Sequence, residues 1–368
     1  MARVYVLYTG GTIGCVGTPL APMAGPDFLA LMQSMPGLAG GKVAGYPVDY
    51  EMGWFERSLD SSNMTPADWI RIAQALVAVY DEYDGFVVLH GTDTMAFTAS
   101  ALSFLLPGLS KPVVLTGAQV PLAMTLTDAL TNLIGALVVA GTARIPECLI
   151  CFGSLVLRGN RAAKINANQF AAFASPNLAP LGTIGGEIAI DAASLLPPPD
   201  AAVSLADPRN LTALAGQLER QAARVADFSV IAMTLYPGIG ASTAEAMIGA
   251  TVPPVRGVVI EAFGAGNAPS TPDFLAALAA ANAAGVVLVD NSQVLSGSVM
   301  LGAYATGSGL AGAGVISAHD MTPEASLAKL VVLISAGHPP ARVKALMQSA
   351  LAGEITLPPD PRLPSPAD

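Results

Sequence analysis

Short apolar runs recur through the first half of the chain, and each is closed by glycine and small polar residues. Val4–Tyr8 runs into Thr9-Gly10-Gly11-Thr12-Ile13-Gly14, Phe86–Leu89 into His90-Gly91-Thr92-Asp93-Thr94, and Val113–Leu115 into Thr116-Gly117-Ala118-Gln119. Cys148–Phe152 is a fourth run. Runs this short and this apolar fit strands buried on both faces. Between them the period changes. Thr65 precedes Pro66 in the manner of an N-cap and a first helical residue, and apolar positions then recur at Trp69, Ile72, Ala73, Leu76, Val79, Tyr80 and Tyr83. That spacing predicts a helix with Asp68 and Arg71 on its solvent face. Met95–Leu106 and Leu126–Ala140 also read as helices. Strands alternating with helices predict an α/β fold, a parallel sheet covered on both faces, with ligands beyond the carboxyl ends of the strands. Thr12, Thr92 and Asp93 then share one edge of the sheet.

The second half repeats the alternation. Val230–Leu235, Gly257–Phe263 and Val286–Asp290 read as strands, Pro272–Ala284 and Pro323–Ser335 as helices. Leu195–Arg209 holds Pro197, Pro198, Pro199 and Pro208 and reads as a linker. The expected organisation is an N-terminal α/β domain over 1–194, a proline-rich linker over 195–209, a C-terminal α/β domain over 210–356 and an unstructured tail over 357–368.

Composition narrows the classes of function. Of 368 residues, 52% are hydrophobic and 12% charged, which excludes a disordered chain. A net charge of −10 without a basic block argues against nucleic acid or an anionic membrane as partner. No stretch is apolar for long enough to suggest a membrane span, and the chain opens directly on a strand rather than a secretory signal. Cys15, Cys148 and Cys151 are an odd count, which fits a reducing, cytoplasmic compartment.

Each candidate for chemistry has an ordinary alternative at this stage. Thr12 between glycines suits a nucleophile approached closely by substrate, and equally a tight turn. Asp93 suits an ammonium-binding carboxylate or a helix N-cap. Lys164, in Arg158-Gly159-Asn160-Arg161-Ala162-Ala163-Lys164, suits a base acting on a hydroxyl or a surface cation. Asp60-Ser61-Ser62 suits recognition of a carboxylate and an amine or an ordinary polar loop. Gly307–Gly312 has GxGxxG spacing but no clear strand before it, and is set aside as a dinucleotide motif. Cys148 and Cys151 are spaced CxxC within one strand, so they face opposite sides and pack in the core. No set of metal ligands is evident, and no metal or organic cofactor is expected.

In combination these segments resemble the bacterial L-asparaginases, most closely the cytoplasmic type I branch. The resemblance is carried by YTGGTIG (8–14), LDSSNMTPADW (59–69), YDGFVVLHGTDTMAFTASALSFLL (83–106), KPVVLTGAQVPL (111–122), RGNRAAK (158–164), FASPNL (173–178), FGAGNAP (263–269) and GAYATG (302–307), in the family's order through nearly the whole chain. It implies a larger N-terminal domain with a flavodoxin-like parallel sheet, a smaller C-terminal α/β domain, a homodimer or homotetramer, and hydrolysis of the side-chain amide of L-asparagine. It assigns Thr12 as nucleophile, Thr92, Asp93 and Lys164 as its catalytic partners, and Asp60, Ser61, Ser62, Gly91, Thr92 and Asp93 to substrate binding. The alternatives are a glutamine-preferring or transfer-RNA amidotransferase amidase of the same fold, or a binding protein without turnover.

The chain departs from that family in two places. The loop Cys15–Gly25 lacks the tyrosine many relatives carry after TGGTIG, and Leu20 stands near its place; Tyr304 is nominated as its replacement. Glu261 and Ala163 occupy the places where some type I members use an arginine and a threonine to hold an effector. A carboxylate would repel an effector carboxylate, so hyperbolic kinetics with a Hill coefficient near one are expected.

Overall fold

The structure, a computed structural model, describes residues 1–301 and 305–356. Tyr304 and the proline-rich end, 357–368, lie outside the described residues.

Five parallel strands make the centre of a nine-stranded sheet. In space they run Val48–Leu59, Ala2–Gly10, Gly85–Leu89, Val113–Thr116 and Cys148–Phe152. Numbered along the chain, that order is 2-1-3-4-5, the flavodoxin-like arrangement, whose strand order reverses between Ala2–Gly10 and Gly85–Leu89. Antiparallel strands extend the sheet at both edges: Lys42–Val43 beside Val48–Leu59, and Leu155–Arg158, Gly182–Ile184 and Ile188–Ile190 beyond Cys148–Phe152. The result is a mixed sheet with a parallel centre. Lys42–Val43 with Val48–Leu59, Cys148–Phe152 with Leu155–Arg158, and Gly182–Ile184 with Ile188–Ile190 are joined by short connections, which only antiparallel pairing allows.

Among the five central strands, one was not expected from sequence. Val48–Leu59 carries Asp49, Glu51, Glu56 and Arg57, and most of it is only partly buried. It lies next to the edge, where one face meets water, so it lacks the apolar run that marked the others.

Two cores cover the sheet. Helices Pro66–Ala78 and Met95–Leu105 pack Trp69, Ile72, Leu76 and Leu102 against Leu7, Phe86, Val88 and Leu115. Helices Gly25–Ser34 and Ala129–Thr142 pack Phe28, Met32, Leu133 and Leu137 against Val4, Val6, Val87 and Val114. Cys148 lies in the first core and Cys151 in the second, on opposite faces of one strand as the alternation requires. The first helix starts as expected: Asp68 accepts from both the backbone N–H and the hydroxyl of Thr65, at 2.9 and 2.6 Å. Helix Ala129–Thr142 starts later than Leu126 because Leu126 takes a positive φ of 58° and Asp128 turns back to accept the N–H groups of Gln119 and Val120.

The smaller sheet is wholly parallel and in chain order: Ser229–Thr234, Val255–Ala262, Val287–Ser292 and Ile316–Ser317. The two sheets are not independent. Ala328, Val331 and Val332 of helix Pro323–Ser335 complete the first core of the large sheet, together with Leu214 and Leu218 of helix Pro208–Arg224. Between the sheets, the Leu196 N–H bonds Glu147 and the Leu205 N–H bonds the Gly108 carbonyl, so this stretch lies along the large domain. The helix takes over at Pro208, capped by Asp207. Residues 307–312 fall inside helix Ala305–Gly312 and not at a strand-to-helix turn, which removes the dinucleotide reading.

Candidate active site

The carboxyl ends of the three strands around the reversal of strand order meet, and glycine makes the meeting possible. Gly10 is paired with Leu59, and a Cβ on it would lie 2.3 Å from the Leu59 carbonyl oxygen. A Cβ on Gly11 would lie 2.4 Å from the backbone nitrogen of Gly91. Both have positive φ, 120° and 86°. Only glycine fits backbone so close to backbone in that conformation. The loops bearing Thr12, Asp60 to Ser62 and Thr92 are thereby brought together, with Thr12 and Thr92 each one residue beyond the Gly11–Gly91 contact.

Thr12 opens the short 3-10 turn Thr12–Gly14 and is half-buried. Thr9 anchors the strand end beneath it, its hydroxyl donating to the Leu89 carbonyl at 2.8 Å. Ser61 is buried above Gly91, and its carbonyl accepts from the Thr94 hydroxyl at 2.8 Å. Asp60 caps the Ser61–Asn63 turn by accepting the Ser62 N–H at 3.1 Å, and Asp60 and Ser62 are exposed.

Lys164 reaches this edge from the two-stranded ribbon Ala163–Lys164 and Phe173–Ala174. Its ammonium donates to the Thr92 hydroxyl at 2.9 Å and to Asp93 Oδ1 at 2.6 Å. Asp93 therefore serves an ion pair, and its alternative use as N-cap falls away: Thr94 holds the N-cap position of helix Met95–Leu105. Lys164 is not a surface cation either, since only 18% of its side chain is exposed against 64% for Asp93.

His90 lies under the site and takes no part in its surface. It is fully buried, its Nδ1 meets the Gly91 carbonyl at 2.7 Å, and its Nε2 meets the Thr98 hydroxyl at 2.9 Å. Burial holds its pKa down to about 4, so the ring is neutral, donating through Nδ1 and accepting at Nε2. It fixes the turn that presents Thr92.

Gln119 belongs to the site and was not named by sequence reasoning. The Thr92 hydroxyl donates to its Oε1 at 3.2 Å, while its amide donates to the Gln169 carbonyl at 3.1 Å. Its position at the end of the third glycine-containing loop was the available signal. Among the described residues, no group of three or more His, Cys, Asp or Glu is placed to hold a metal ion. No described helix is long and apolar enough to cross a membrane.

The arrangement offers two hydroxyls on adjoining loops, an ammonium bonded to one of them, and a carboxylate largely open to solvent. Comparison with known proteins agrees with that composition. A family profile described as "Asparaginase, N-terminal" matches residues 3–195, and one described as "Glutaminase/Asparaginase C-terminal domain" matches residues 229–347. L-asparaginase 1 of Escherichia coli K12 is 40% identical over 362 residues, covering 96% of this chain and 98% of that one. The 60 kDa lysophospholipase of Homo sapiens is also 40% identical, over 97% of this chain, but the chain spans only 62% of that relative's length. Among solved structures, L-asparaginase I from Vibrio cholerae superposes with a TM-score of 0.81 at 39% identity, covering 97% of this chain and 99% of that one. By profile, sequence and fold, the chain belongs to the asparaginase family.

Proposed function

We propose that this chain is an L-asparaginase, cleaving the side-chain amide of L-asparagine to L-aspartate and ammonia through an acyl ester on Thr12. The observation that carries the reading is the bonding of Lys164 to both Thr92 and Asp93 beside the Thr12 turn. In the free site Asp93 uses one oxygen for Lys164 and is otherwise exposed, which suits it to accept a substrate ammonium. Ser61, Gly91 and the loop from Asp60 to Ser62 take the α-carboxylate, with Ser61 Oγ and backbone N–H groups as donors. Held at both ends, the substrate presents its amide carbon to Thr12 Oγ.

Attack forms the C–O bond as the Thr12 proton passes to the departing nitrogen. The Thr92 N–H stabilises the oxyanion. Ammonia leaves, and water then cleaves the ester, restoring the Thr12 hydroxyl and releasing aspartate. The Thr92 hydroxyl, held by the Lys164 ammonium and by Gln119, relays the water's proton to Thr12 Oγ as the ester bond breaks. Tyr304 stands as the proposed aid to the first proton transfer, since Leu20, 50% exposed, cannot supply it.

Assembly into a homo-oligomer belongs to the same proposal. Val16, Leu20, Met124, Leu126, Ile165 and Phe170 are large apolar side chains, each at least 41% exposed, and all lie in segments that follow site residues. Such a concentration of exposed apolar groups supports burial against another subunit.

The test is ammonia release from L-asparagine and L-glutamine by the intact protein and by Thr12→Ala. Hydrolysis of asparagine, with a fall in kcat of at least about 10³-fold in the variant, is the expected outcome. Binding of asparagine without turnover in the intact protein would instead favour the binding-protein alternative.

A further inference from the structure

The side chain of Lys164 is held at its tip, but its backbone rests on a ribbon of two residues per strand. A ribbon that short is marginal by itself. The support comes from Arg161, three residues earlier. Its side chain is 1% exposed and makes five polar contacts at 2.5 to 3.1 Å. Both terminal nitrogens meet the Asp320 carboxylate, a bidentate pairing to the smaller domain. The others reach the Glu354 carbonyl and the Thr356 hydroxyl, near the carboxyl end of the described chain, and the Asn177 carbonyl.

The partners of Arg161 also hold each other. Asp320 accepts the Thr356 N–H at 2.9 Å, and Asn177 donates to the Asp320 carbonyl at 3.0 Å. Asn160 adds a bond to the Ala352 carbonyl at 2.8 Å, and Ser175 one to the Arg161 carbonyl at 3.0 Å. From Arg161 the chain runs through buried Ala162 and Ala163, without a glycine, to Lys164. A shift of the guanidinium therefore has no soft residue in which to dissipate before Lys164.

A buried ion pair adds little net stability over apolar packing, but its geometry is exacting. We infer that Arg161, clamped by Asp320 and by residues 352–356, is a positioning residue for Lys164, making alignment of the site depend on the docking of the smaller domain. The role of Lys164 in turnover rests on the asparaginase reading; its placement by Arg161 does not.

The experiment is a double-mutant cycle in kcat for ammonia release, using Arg161→Lys, Lys164→Ala and the double variant. Arg161→Lys is expected to lower kcat about tenfold or more in the wild-type background. In the Lys164→Ala background it is expected to change kcat by less than about twofold. The same loss in both backgrounds, or no loss in either, overturns the inference. Should Arg161→Lys not fold, Asp320→Asn and Thr356→Val take its place in the cycle.

A second readout needs no turnover. Trace acetylation with acetic anhydride, read site by site by mass spectrometry, compares Lys164 with the exposed Lys42. Lys164 is expected to label several-fold faster relative to Lys42 in Asp320→Asn than in the wild type, and an unchanged ratio counts against positioning. If the wild type releases no ammonia, the asparaginase reading fails and the labelling ratio alone decides the placement.

Discussion

Asp290 sits in the strand Val287–Ser292 of the smaller sheet, fully buried, with no hydrogen-bond partner for either carboxylate oxygen among the described residues. Gly266 packs over it, so closely that a Cβ there would lie 2.5 Å from Oδ2. Burial pushes its pKa from 3.8 up to about 7. The sign of the consequence follows from proton counting. Between pH 3.8 and about 7 the unfolded chain gives up a proton that the folded chain keeps, so this group's contribution to stability falls as pH rises and levels off above 7. Asp290→Asn keeps the shape and removes the ionisation. It is expected to stabilise the protein, and by about 2–3 kcal/mol more at pH 8 than at pH 5. Urea unfolding of both proteins at the two pH values measures this; a gain independent of pH would mean that the carboxylate finds a partner. At this scale the sequence was informative where chemistry needs small residues in a fixed order. Thr92, Asp93 and Lys164, candidates from the sequence, do come into contact beside the Thr12 turn, but Asp290 looked like any strand-end polar residue. Gln119 was passed over because what ties it to Thr92 is a bond between side chains, which no local pattern encodes.

The elements that form the site were legible in proportion to how fully they are buried. Ala2–Gly10, Gly85–Leu89, Val113–Thr116 and Cys148–Phe152 are buried on both faces, or nearly so, and announced themselves as apolar runs. Val48–Leu59, with one face toward water, did not, although it delivers Asp60 and Ser61. What the sequence could not convey was the distance between loops. The 2.4 Å separation that a Gly11 Cβ would have from Gly91 shows how little room remains. Gly11→Ala is expected to cost about 1–3 kcal/mol from backbone strain at φ 86°. By prising the two loops apart it should also lower kcat on the order of 10²-fold, the scale of loss for a displacement of roughly 1 Å. Gly40→Ala is the control: it too has a positive φ, 65°, but nothing lies within 4 Å of the added carbon. It should show strain in a melting curve and an unchanged rate. Equal rates for the two variants would mean that the loops tolerate separation.

Across the whole molecule, the joint between the domains buries charged groups as completely as apolar ones. Lys329, on helix Pro323–Ser335, is wholly buried and pairs with an equally buried Glu354 at 2.5 Å. Its ammonium also donates to the Met347 and Ser349 carbonyls. Glu354 accepts the Leu351 and Ala352 N–H groups as well, so one carboxylate folds the last described turn and ties it to the helix. Because the same helix supplies Ala328, Val331 and Val332 to the core of the large sheet, this pair reaches both domains. Desolvation lowers the Lys329 pKa, so in the folded protein its charge depends on Glu354. Glu354→Gln leaves that ammonium buried without its counter-charge and is expected to cost about 3–5 kcal/mol. Adding Lys329→Met removes the stranded charge and should recover much of the loss, since a buried pair is worth little against an apolar side chain of similar volume. Urea unfolding of the two single variants and the double variant closes the cycle. Recovery in the double variant identifies the pair as a device for docking geometry, whereas strictly additive losses would show that each group matters through its own backbone contacts and that the charge pairing itself contributes nothing.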